Sequence, residues 1–197
     1  MYESVMESNP SYGNGKDIPV ERVSWYDAVY FCNKMSELHG KEPVYDVDGE
    51  VDVTKWGYTT HKGKVIQGEI TQNTSATGYR LPTYDEWTYA AKGGEDYKYA
   101  GSDNIDEVAW YSDNSGMFPH TVAQKKVNGY GLYDMSGNVW EWIWDPSSDD
   151  AWHYVCGGSY CNDDYYSEVE SKYNSYADNC YHSLVCFRLV CKFSSLE

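Results

Sequence analysis

The stretch Gly78-Tyr-Arg-Leu-Pro-Thr-Tyr-Asp-Glu-Trp-Thr-Tyr-Ala-Ala-Lys-Gly-Gly94 decides how the chain folds. Thr83 followed three positions later by Glu86 is a capping box: the hydroxyl takes an orphan backbone N–H and the carboxylate reaches back to the cap's own N–H. Trp87, Ala90 and Ala91 then give the inner face of a helix. Gly93-Gly94 end it, because glycine enters the left-handed conformation without a steric penalty. The same logic, read toward the amino terminus, predicts a helix from Ser24 to about His39. Ser24 and Asp27 form its capping box, Trp25, Ala28, Val29, Cys32, Met35 and Leu38 recur at helical spacing, and Gly40 stops it. On that stripe Cys32 reads as a small buried hydrophobe and not as a nucleophile.

Residues 41–77, between the helices, read as an irregular excursion. Val44 to Val53 alternates apolar and acidic residues around Asp48-Gly49, which predicts a hairpin. The series Asp46, Asp48, Glu50, Asp52 is not an EF-hand loop, since Gly49 falls at the fourth loop position and no Glu closes it. It reads as a solvated outer strand face. Beyond Gly94 there is no further long helix. Short strand candidates at 108–111, 129–133 and 137–142 lie among glycine turns. Two early helices followed by a loop-rich, short-stranded half predict an α+β domain.

Composition narrows the function. Of 197 residues, 41% are hydrophobic, enough for a core. The aromatics favour rings with a polar handle, 21 Tyr and 8 Trp against 4 Phe, which suit a recognition surface as well as a core. With 31 acidic and 15 basic side chains the formal charge is -16, which repels phosphate backbones and anionic lipid; no nucleic-acid partner is expected. No apolar run is long enough to span a bilayer, so direct membrane insertion of this segment is not expected either. Cys32 stands alone, whereas Cys156, Cys161, Cys180, Cys186 and Cys191 crowd the C-terminal part. None are spaced C-x-x-C and none pair with His in a zinc pattern; a disulfide within the cluster stays open.

Four blocks together resemble the formylglycine-generating-enzyme and sulfatase-modifying-factor family. They are the 78–94 stretch, Pro19-Val-Glu-Arg-Val-Ser-Trp-Tyr-Asp-Ala-Val-Tyr-Phe-Cys-Asn33, Asn128-Gly-Tyr-Gly-Leu-Tyr-Asp-Met-Ser-Gly-Asn-Val-Trp-Glu-Trp142, and Gly157-Gly-Ser-Tyr160 with Phe187-Arg-Leu-Val190. The resemblance implies a C-type lectin fold over 1–195, with Leu196-Glu197 reading as a cloning scar. It also implies a truncated start, because the family's opening strands have no counterpart ahead of Val5 and Met6. This scaffold carries oxidases, sulfoxide synthases and pure binders. The oxidase needs two cysteines after the Gly-Gly-Ser, where thiolates hold copper. Those places fall near Ser167 and Lys172, and no iron-binding His cluster of the synthase type is present.

Within the family the tail is most similar to the variable proteins of diversity-generating retroelements, of the Treponema type. Relatives commonly carry Arg before Gly-Gly-Ser, Gly before Phe-Arg-Leu-Val, and an Asn-rich run between them. Here stand Cys156, Cys186 and Tyr173-Asn-Ser-Tyr-Ala-Asp-Asn-Cys-Tyr-His182. Tyr, Cys, Asp, Ser and His are all reached from the asparagine codon AAC by changes at its adenines. The expectation is a non-catalytic, monomeric binding protein whose segment 152–191 is a variable ligand-binding surface. Its contact set would be Tyr154, Tyr160, Tyr165, Tyr166, Tyr173, Tyr176, Asp178, Tyr181 and His182, a composition that gives rigid contact area with adaptable hydrogen bonds. The resemblance further implies structural calcium at Asp134 and Glu141, an unidentified protein or other surface ligand, and cell-surface display through a lipid anchor upstream of Met1. No cofactor is required by this reading. A fixed-specificity lectin-like module and a thiol oxidase using Cys161 or Cys180 with copper are the alternatives.

Overall fold

Both capping boxes form in the computed structural model, which describes residues 1–13, 15, 17–147, 152–173, 178–180 and 182–192. Helix α2 (Trp25–Leu38) starts where the Ser24 side chain accepts from Asp27 N, and α3 (Tyr84–Lys92) starts the same way at Thr83 and Glu86. Arg80 holds Glu86 through paired contacts of 2.5 and 2.6 Å, so this cap is also tied to the strand before it. Cys32 is fully buried in the core, as its place on the stripe requires. A short helix, α1 (Tyr2–Met6), packs on α2, with Tyr2 stacked on Phe31 at 5.2 Å.

The excursion departs from the hairpin expected over 44–53. Strand β1 (Tyr45–Val47) pairs antiparallel with β2 (Ile70–Gln72) and not with the residues just after the turn. The turn itself is present: Asp48 and Gly49 have φ of 51° and 84°, and Val47 bridges Glu50. Beyond Glu50 the chain leaves the ladder because Trp56 Nε1 donates to Glu50 O at 2.8 Å and Asp52 caps the 3-10 turn Val53–Lys55. The acidic series is therefore spent on turns, a cap, the Lys55 pair and bonds from Glu69 and Thr71 of the facing stretch. Buried Asn33 pins the excursion to α2, donating to Tyr45 O and Val51 O and accepting from Tyr45 N.

Of the later strand candidates, the one at 137–142 yields β4 (Trp140–Pro146). Val108 instead closes the four-residue helix α4 (Ile105–Val108), and 129–133 forms a turn closed by Gly131 N to Asn128 O. Strand β3 (Tyr79–Arg80) pairs with β8 (Val190–Cys191). The main sheet has the order β6 (Lys172–Tyr173), β5 (His153–Cys156), β4, β7 (Val185–Phe187), with β7 parallel to β4. Side chains alternate across such a sheet. Trp140, Trp142, Val155, Tyr173, Val185 and Phe187 share the face that packs toward α2, while Cys156 and Ile143 share the face that meets Trp87 and Ala91 of α3. Trp140 and Trp142 are fully buried, and truncating either to Ala should cost roughly 3–5 kcal/mol. No helix among the described residues is long and apolar enough to cross a membrane.

Candidate functional site

The C-terminal segment leaves β5 through Gly157 and Gly158, at φ of 94° and 75°. A Cβ on Gly157 would stand 3.2 Å from the Trp87 ring, and one on Gly158 would stand 2.7 Å from Ser167 Oγ, so glycine is needed at both for conformation and for space. Gly137 N donates to Gly157 O at 2.7 Å and Tyr160 N to Asn138 O at 2.8 Å. The segment is thereby sewn to the turn that precedes β4. After its excursion it returns as β7 on the other side of β4.

The residues expected to form one contact set do not lie together. Tyr165, Tyr166 and Tyr173 cluster: Tyr173 stacks on Trp140 at 5.7 Å and 15°, and Tyr166 meets Trp140, Tyr173 and Tyr165 edge-on. Tyr165 is the most open of the three at 64% exposed. Tyr154 points to the opposite sheet face, where it and Tyr84 flank the Lys172 ammonium at 4.5 and 4.4 Å. Two of the expected contact residues prove to be interior. Tyr160 is 7% exposed and packs with Val139 and Cys186 while its hydroxyl donates to Ser183 O. Asp178 is 3% exposed, bonded to His153 Nδ1 at 2.8 Å, and its carbonyl accepts from Trp25 N. Their burial follows from jobs in the fold: Tyr160 packs against Val139 and Cys186 beside the paired β4 and β7, and Asp178 anchors the segment to the start of α2. His182 is half-buried and accepts from Arg22 N through its carbonyl. Tyr176 and Tyr181 lie outside the described residues.

Glu141 and Asp134 do not fit a calcium cage. Both Glu141 carboxylate oxygens are taken by Arg188, at 2.6 and 2.7 Å, and Trp87 Nε1 donates to one of them at 2.7 Å. A divalent cation there would face a guanidinium and would have to displace it. Asp134 accepts from Ala123 N at 2.8 Å, and no group of three or more candidate metal-ligating side chains occurs among the described residues. Sequence reasoning missed Arg188, which stands in the Phe187-Arg-Leu-Val block and whose only signal was a lone basic residue in an apolar strand.

Two of the C-terminal cysteines flank this carboxylate. Cys156 and Cys186 are the register partners of Glu141 on β5 and β7. Burial first, and then the charge of Glu141, pushes the Cys186 thiol up to about 12 and that of Cys156 well above its usual value. Burial also raises Cys161 and Cys180. All six cysteines are unpaired. Of the two positions near which the resemblance would put copper-holding thiols, Ser167 is buried and Lys172 is exposed, with its ammonium committed to the two tyrosine rings. A hydroxyl and an ammonium do not fit copper.

The fold superposes on Treponema denticola variable protein 1 with a TM-score of 0.87 and 34% identity, covering 96% of this chain and 80% of that one. In sequence the chain is 40% identical over 181 residues to "Chaperone protein LppX" of Paenibacillus barcinonensis, covering 79% of this chain and 64% of that protein. It is 35% identical over 122 residues to the formylglycine-generating enzyme of Streptomyces coelicolor, covering 43% of this chain and 39% of the enzyme. The chain thus spans less than two thirds of the length of either curated relative. Residues 2–193 match the family described as "Sulfatase-modifying factor enzyme 1-like domain". The chain belongs to the sulfatase-modifying-factor family and carries its C-type lectin-like fold.

Proposed function

We propose that this chain is a non-catalytic, surface-displayed ligand-binding protein, acting as a monomer, whose segment 152–191 is diversified by a retroelement. The observation that carries the reading is the seating of Tyr166 and Tyr173 on the fully buried Trp140, with Tyr165 edge-on to Tyr166 above them. A fixed tryptophan floor under tyrosines of the segment lets the outer rings change while the sheet stays in place. Such rings supply contact area at low entropic cost. The similarity to a Treponema protein named as variable supports the same reading. The raised thiols support a binder over an oxidase, because the thiolate is the reactive and metal-holding form. The acidic chain favours basic partners by electrostatic steering.

A fixed-partner binder is the second reading, favoured by 40% identity to a relative named a chaperone. Sequencing the same locus in sister strains separates the two. Under the first reading, substitutions concentrate at Tyr165, Tyr166, Tyr173 and their neighbours while Trp140, Gly157, Gly158 and Phe187 stay constant. Uniform identity across 152–191 in diverged strains would refute diversification.

A further inference from the structure

A cleft of about 940 Å³ opens beside β7, and none of Tyr165, Tyr166 or Tyr173 lines it. Val20, Leu132, Val139 and Phe187 give it apolar walls, while Asp134, Glu141 and Arg188 bring charge into it. Glu141 and Arg188 cancel each other through their paired contacts of 2.6 and 2.7 Å. Asp134 has no such counter-charge in contact. It is held at φ 56° and its Oδ2 accepts from Ala123 N at 2.8 Å. Burial raises its carboxyl above the usual range, the Ala123 bond lowers it, and the charges of Glu141 and Arg188 act in opposite directions. Glu3 and Asp17 also line the cleft, so its acidic side chains outnumber its basic one, Arg188.

A desolvated carboxylate among apolar walls has a definite complement: a cation on an apolar stem. The cation relieves the charge in a medium where Coulomb attraction is stronger than in water. The stem removes the walls from water at about 25 cal/mol per Å². We propose that this cleft binds a primary ammonium carried on an unbranched apolar stem, the chemistry of a lysine side chain, with Asp134 as counter-ion and Val139 and Phe187 covering the stem. Arg188 takes part by neutralising Glu141, which makes Asp134 the preferred seat for the incoming charge. The site does not depend on diversification of the tyrosine cluster.

The test uses the full chain and n-hexylammonium as probe, with 1-hexanol, hexanoate and methylammonium as comparators, followed by NMR. Hexylammonium should give saturable shifts of the Ala123, Asp134 and Val139 amides. Hexanol, hexanoate and methylammonium should each bind at least about tenfold more weakly, since each lacks the charge, its sign or the stem. Asp134→Asn should abolish the preference of hexylammonium over hexanol while keeping the dispersion of the spectrum. Phe187→Leu should weaken both six-carbon ligands and leave their ratio unchanged. Equal binding of hexanol, equal binding of methylammonium, a preference that survives Asp134→Asn, or shifts confined to other surfaces would each overturn the proposal.

Discussion

Replacing Arg188 by Met keeps most of the side-chain volume and removes the charge that faces Glu141. The Glu141 side chain is 8% exposed and that of Arg188 is 27% exposed, so the pair is largely but not wholly withdrawn from water. Breaking a fully buried pair costs about 3–5 kcal/mol because the surviving charge is left unpaired. The partial exposure of Arg188 places Arg188→Met near about 3 kcal/mol. Glu141→Gln should cost about 2 kcal/mol, since the amide oxygen still accepts from Trp87 Nε1 and Asp134 remains near the guanidinium. The double variant leaves neither charge stranded and should cost about 3 kcal/mol, which gives a coupling of about 2 kcal/mol. Urea unfolding followed by tryptophan fluorescence measures all three. With a slope of about 2 kcal/mol per molar, Arg188→Met should lower the midpoint by about 1.5 M. Costs that add to within about 0.5 kcal/mol would show that the two groups do not stabilise one another, and the account of why β7 stays clamped to β4 would be wrong.

Four further outcomes are expected. Tyr165→Ser should change stability by no more than about 0.5 kcal/mol, whereas Tyr173→Ser should cost about 2 kcal/mol from lost stacking and burial; equal costs would contradict the seating on Trp140. In the folded protein at pH 8, Cys156 and Cys186 should resist iodoacetamide while exposed Cys191 reacts, and rapid labelling of the buried pair by mass spectrometry would refute the burial argument. Asp134 has a raised folded carboxyl, so its ionisation destabilises the fold as pH rises through the unfolded and then the folded value. Asp134→Asn should therefore gain stability relative to the parent between about pH 4 and 7, and a gain that shrinks over that range would contradict the sign. Copper loading and incubation with a cysteine-containing sulfatase peptide should yield no formylglycine by mass spectrometry; turnover lost in Cys161→Ser would restore the oxidase reading.

What the sequence makes legible here is local. The capping boxes at Ser24 and Thr83 lie within four residues, and both form. Asp48-Gly49 also forms its turn, yet β1 pairs with β2 because the competing bonds of Trp56 and Asn33 come from outside the apparent hairpin. At the surface, residue type marked the tyrosines but could not tell which ones face out. Tyr154 and Tyr173 look alike in the sequence; the register of β5 against β6 puts them on opposite faces. The clamp of Arg188 on Glu141 was equally hidden, since it depends on a parallel pairing of β4 with a strand far along the chain.

That pairing has a consequence for how the segment can evolve in length. The chain between β5 and β7 has both ends fastened to opposite edges of β4, so it is a closed loop anchored on one constant strand. For a loop already closed, the entropy of closure grows only with the logarithm of its length, and a doubling costs about 0.6 kcal/mol. Residues inserted between Tyr173 and Asp178, past β6, should thus weigh little on the fold, provided that Tyr160, β6 and Val185 keep their places. A lineage using this scaffold is free to change the reach of its surface, not only the side chains on it.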